Sequence, residues 1–138
     1  MDTGYSGTPL YKKLGFINPP LRVLTINAPR EYKSWLGDLP KGVGLASNVA
    51  SPVQAAHVFA TEKAFLDAVL STLRNELAQD GFVWASWPKK TSKMMTDITE
   101  DTIREIALPL GFVDVKVCAV SEVWSGLKLV IRKSLRES

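Results

Sequence analysis

Apolar positions along this chain alternate between two rhythms. Phe65, Leu66, Val69, Leu70, Leu73 and Leu77 recur at the i, i+3, i+4, i+7 spacing that draws one stripe along a helix. The stretch 81–90, GFVWASWPKK, follows and predicts a buried central strand over 82–87 that passes through Trp87-Pro88 into a basic loop. The other predicted elements are arranged around that stretch. Upstream, Thr8 and Pro9 predict a helix start, Leu10 and Leu14 its apolar face, and Gly15 a left-handed stop. Asn18-Pro19-Pro20 stiffens the approach to a first strand at 22–28, RVLTINA, which Pro29 breaks while opening a short helix through Trp35 and Leu36. A loop at 37–44 leads to a short strand at 43–46, an irregular stretch at 47–56 and a short buried strand at 56–60, AHVFA. Thr61 is placed to cap the long helix, and Asp80-Gly81 to end it.

Beyond the basic loop, Asp97 or Thr99 caps a further helix whose first turn holds Glu100 and Asp101 and whose buried face is Ile103, Ile106, Ala107 and Leu110. Pro109-Leu110-Gly111 closes it. Strict alternation then returns at 112–120, with Val113, Val115, Val117 and Ala119 on one face, and again at 124–133, with Leu127, Leu129 and Ile131. The short turn at 121–123 makes these two an antiparallel hairpin. Strands alternating with helices predict an α/β domain over 1–138, a mostly parallel sheet flanked by helices, with 1–20 as N-terminal helix and lead-in.

Composition narrows the class. An apolar share of 46% over 138 residues supports one hydrophobic core and argues against disorder. No apolar run reaches the roughly 18 residues of a membrane span, and the first residues lack the basic start and apolar core of a signal peptide. The single cysteine, Cys118, has no internal partner, which fits a reducing cytoplasm. Seventeen basic against fourteen acidic residues give a net charge of only +3, interspersed except at Lys89, Lys90 and Lys93 and in the tail Lys128, Arg132, Lys133 and Arg136. A solvated surface explains that pattern better than a nucleic-acid face, so weak nucleic-acid binding is the lesser reading.

The order of elements, closing in a hairpin, resembles a reduced Rossmann sheet of the methyltransferase-like kind. The segments YSGTPLYKKLG, RVLTINAP, SWPKK, TEDTIREIALPLGFVDVKVCAV and EVWSGLKLVIRK together resemble a bacterial family of small proteins of unknown function. That resemblance covers nearly the whole chain and implies a fold without implying an activity.

Chemical motifs are sparse. A dinucleotide or S-adenosylmethionine site wants glycines after the first strand, where this chain reads NAPREY, and Pro29 removes an amide donor there. No Walker loop occurs, and one histidine with one distant cysteine supplies no metal site, so no cofactor and no metal are expected. Asp97, Glu100 and Asp101 are explained by their helix start. His57 is either a general base beside Ser86 or Ser47, or a buried residue bonded to backbone; its place before the strand's carboxyl end favours burial. Cys118 reads as a packed edge side chain rather than a reactive thiolate, and Trp84 and Trp124 as core rather than stacking platforms.

Ligands of open parallel sheets sit beyond the carboxyl ends of the strands, which points to Asn27, Thr61, Trp87, Lys89 and Lys90 as a site for a small anionic ligand. Trp87 is there either a pocket wall or a core aromatic beneath lysines that reach into water. The leading expectation is nevertheless a non-catalytic cytoplasmic binding or interaction module on a methyltransferase-like scaffold without its glycine loop. An enzyme or sensor for the anionic ligand is the alternative. The hairpin edge either pairs with a second copy, giving a homodimer, or is kept single by Lys128, Arg132 and Lys133.

Overall fold

A computed structural model describes residues 7–136. Its core is a six-stranded sheet built from β1 (Leu21–Ile26), β2 (Val43–Ala46), β3 (Val53–Phe59), β4 (Leu77–Pro88), β5 (Phe112–Ala119) and β6 (Trp124–Ile131), in the order β2-β1-β3-β4-β6-β5. The pairs β1–β2, β1–β3 and β3–β4 are parallel, while β6 runs antiparallel to β4 and to β5. This is the α/β sheet with a closing antiparallel hairpin that the alternation predicts. Helices α1 (Leu10–Lys13) and α2 (Tyr32–Leu36) cover one face, α3 (Lys63–Glu76) and α4 (Glu100–Leu110) the other. Among the described residues no helix is long and apolar enough to cross a membrane.

Alternating side chains of each strand feed two cores. On the α3 and α4 side Leu66, Leu70, Leu73, Ile103 and Ala107 meet Val58, Val83, Ala85, Leu127 and Leu129. On the α1 and α2 side Leu14, Phe16 and Leu36 meet Val23, Ala55, Phe59, Trp84 and Trp124. The Trp84 indole is fully buried and donates its N–H to the Leu14 carbonyl at 2.8 Å, which ties the end of α1 to the central strand.

Several boundaries depart from the sequence expectation, each for a physical reason. Thr8 does not cap α1: Pro9 takes the cap position without a side-chain bond, while Gly15 does end the helix at φ +82°. Thr61 does not cap α3 either. The carboxylate of Asp97 accepts the Lys63 amide at 2.7 Å, and the Thr61 carbonyl accepts the Thr96 hydroxyl at 2.7 Å. Thr99 caps α4 reciprocally with Thr102. β3 begins at Val53, inside the stretch expected to be irregular, because its buried edge pairs with β4. β4 starts directly after α3, and Asp80-Gly81 lies within it at a register shift. Gly81 permits that shift, since a Cβ there would stand 2.9 Å from the carbonyl oxygens of Val53 and Gln54. In β5 a register shift between Asp114 and Lys116 breaks the valine face and leaves Val115 and Val117 half exposed.

Candidate functional site

β1 lies between β2 and β3, so the chain crosses from it first to one side and then to the other. The strand order therefore reverses there, and the crevice beyond the carboxyl ends of β1 and β3 is where this class of sheet receives ligands. Asn27 makes the exit from β1. Its φ of +63° is left-handed, and its side-chain amide donates to the Phe59 carbonyl at 3.2 Å, joining the ends of β1 and β3. Ala28, Pro29 and Arg30 then lead into α2.

On the β2 side of this exit, between β1, α2 and β2, lies a cavity of about 480 Å³, a size suited to a small organic ligand. Its walls are Leu39 and Leu45 with the Tyr32 ring, its hydroxyls Thr25 and Ser47, and its cations Arg30 and Lys33. Among the described residues no carboxylate lines it. Arg30 and Lys33 are both exposed, so they can reorient toward an incoming anion at little cost.

Tyr32 also belongs to a buried polar chain. Its hydroxyl lies 2.6 Å from Nδ1 of His57, and Nε2 of His57 lies 2.7 Å from the Ser86 hydroxyl. The imidazole stacks on Phe59 at 4.3 Å and meets the Tyr32 ring edge-on at 5.0 Å. Burial pushes His57 down to about 3 and raises the Tyr32 phenol, so both are neutral at physiological pH. A neutral imidazole has one donor and one acceptor, and the short contacts on both nitrogens satisfy both. Gly126 makes room for this arrangement: a Cβ there would lie 3.1 Å from Trp84 and 3.2 Å from the Ser86 oxygen. His57 is thus buried as expected, but its partners are side chains rather than backbone. Ser86 is the neighbour foreseen for a base, yet with both groups almost completely shielded no substrate reaches them. Their function is to fasten α2, and with it one cavity wall, to the sheet.

The residues singled out by sequence divide. Asn27, Thr61, Lys89 and Lys90 lie along the same carboxyl edge, following β1, β3 and β4. Lys90 is exposed, while Lys89 is half-buried, with its amide donated to the Val123 carbonyl at 2.7 Å. Trp87 packs in the core with α3 and α4 and contributes nothing to the cavity beside α2. Cys118 is half-buried, and that burial raises its thiol. Arg30, Lys33 and Tyr32 were not anticipated, although their position directly after the first strand was the signal that could have found them.

No protein-family model matches the chain, and no curated protein is similar to it. Solved structures share its fold. A ribosomal protein L11 methylase from Lactobacillus delbrueckii subsp. bulgaricus superposes with a TM-score of 0.54 at 12% identity, over 87% of this chain and 74% of that one. A protein assigned as a type 11 methyltransferase from Sulfolobus solfataricus gives 0.55 at 14%, over 86% and 87%. LepI in complex with SAM gives 0.51 at 14%, over 91% of this chain and 47% of its own. The fold is therefore methyltransferase-like. These likenesses also correct the expectation of a non-catalytic module. Proteins named as methyltransferases carry this scaffold, and one protein that shares it is seen with SAM bound. Asn27 supplies at the exit of β1 the left-handed turn that a glycine would otherwise make.

Proposed function

We propose that this chain is an enzyme of the methyltransferase-like class that takes an S-adenosylmethionine-type ligand in the cavity between β1, α2 and β2. The observation that carries the reading is a ligand-sized cavity at the exit of β1, beside the reversal of strand order. The lining suits such a ligand in part, offering nothing anionic to its ammonium and sulfonium. Leu39 and Leu45 offer apolar surface to a base, Thr25 and Ser47 offer hydroxyls to a ribose, and Arg30 and Lys33 offer charge to an amino-acid carboxylate. Ser47 directly follows β2, near the spacing from the first-strand turn at which dinucleotide folds place their ribose-binding residue. When bound, the ligand supplies a methyl group activated by its sulfonium. The chain's own part is to bind and orient it, with the Tyr32–His57–Ser86 chain fixing one wall. The likeness of several segments to a small bacterial family of unknown function, and a cytoplasmic location suited to the lone Cys118, belong to the same reading.

Equilibrium dialysis against S-adenosylmethionine tests it. Saturable binding is expected, weakened about tenfold by Arg30→Ala through loss of a charge-assisted hydrogen bond and unaffected by Lys90→Ala. Absence of saturable binding of both S-adenosylmethionine and S-adenosylhomocysteine to the folded protein overturns the proposal.

A further inference from the structure

The hairpin carries a second feature, remote from the α2 cavity. β5 and β6 place Lys116 and Lys128 directly opposite one another. Side chains in that register are about 5 Å apart at Cβ, and like charges there repel. Glu100, Asp101 and Asp114 pair with Arg104, and among the described residues no carboxylate pairs with Lys116 or Lys128. Lys128 is half-buried and extends over the Phe82 ring, its Nζ 4.6 Å from the centroid. Phe82 in turn stacks on Phe16 at 6.3 Å. Burial, and then the charge of Lys116, hold the Lys128 ammonium below the usual lysine range. Lys13 lies on the same side, since its charge and that of Lys116 both act on the Cys118 thiol.

Two lysines in facing register, one with its ammonium partly desolvated against an aromatic ring, form a costly arrangement that a doubly charged anion relieves. We propose that Lys116 and Lys128 bind a phosphate group on the face of the hairpin that Phe82 and Gly15 adjoin. A dianion neutralises both facing charges at once, and three donors on each ammonium match the acceptor oxygens of phosphate. The Phe82–Phe16 pair adjoining Lys128 offers an apolar surface to whatever group the phosphate is attached to.

Amide chemical shifts followed by NMR during titration with inorganic phosphate test the site, with sodium chloride at matched ionic strength as control. The expected result is a saturable shift at Lys116, Cys118 and Lys128 that chloride does not reproduce. Lys128→Met keeps an unbranched stem over Phe82, and Lys116→Thr keeps strand propensity at an exposed position. Each should weaken the response about tenfold, while Lys90→Ala leaves it intact. A parallel titration with phenyl phosphate separates the sources: tighter binding than inorganic phosphate assigns the site to a phosphate ester, and equal binding assigns it to phosphate itself. A response that chloride reproduces, or one unchanged in Lys116→Thr, overturns the proposal.

Discussion

His57 concentrates the energetics of the α2 face in one side chain. It is fully buried, neutral and bonded at both ring nitrogens, so charging it means adding a proton to an imidazole with no water around it. Burial lowers its pKa from the ordinary 6.5 to about 3, which fixes the sign of the pH dependence. Between those values the unfolded chain holds the proton more often than the folded one. The histidine's contribution is therefore full above pH 6.5 and falls with acidification, by about 1.4 kcal/mol per pH unit, until it levels off below about 3. Urea midpoints should show this most clearly from pH 6.5 down to about 5, before most carboxylates titrate. His57→Gln should flatten that limb, and an unchanged slope would count against a buried neutral imidazole. Sequence made His57 and Ser86 visible as a candidate pair, because their strands are recognisable by composition. Tyr32 was not visible, since its partner is 25 positions away and meets it only through the packing of α2 on the sheet.

At the scale of elements, the sequence located the α-helices and strands of the described residues, but not always the residues that start them. Asp97 was read as a cap for the helix that follows it. Across the carboxyl edge it instead serves α3, whose own N-terminal neighbour Glu62 makes no cap bond. Local sequence cannot reveal an exchange of this kind, which depends on the loop after β4 folding back over the end of β3. The same applies to Gly81, which reads as a turn and lies inside a strand because β3 approaches too closely for any side chain. Separate tests follow for the two caps. Asp97→Ala and Thr99→Ala should each cost about 1 kcal/mol, but amide exchange should quicken in the first turn of α3 for the former and of α4 for the latter. Exchange confined to α4 in both variants would mean that Asp97 acts within its own helix start after all.

The molecule as a whole consists of one sheet between two hydrophobic layers, and that architecture was legible because strands and helices alternate in sequence as they do in space. The candidate site was less legible for a related reason. The conformation of Asn27 and its bond to Phe59, 32 positions away, exist only once β1 and β3 are neighbours. The sheet is shared by both layers, so loss of packing on either side should unfold the protein as one unit. Val23 and Val58 are both fully buried, one beneath each layer and on adjacent strands. Val23→Ala and Val58→Ala should each cost about 1–3 kcal/mol by cavity formation. Their sites are separated by the sheet and lie several residues apart along it, so the double variant should lose the sum to within about 0.5 kcal/mol. Unfolding in urea should stay a single transition in all three proteins, with circular dichroism and tryptophan fluorescence coinciding. Separate transitions by the two probes would mean that the two layers do not unfold as one unit, since Trp84 and Trp124 report one layer and Trp87 the other.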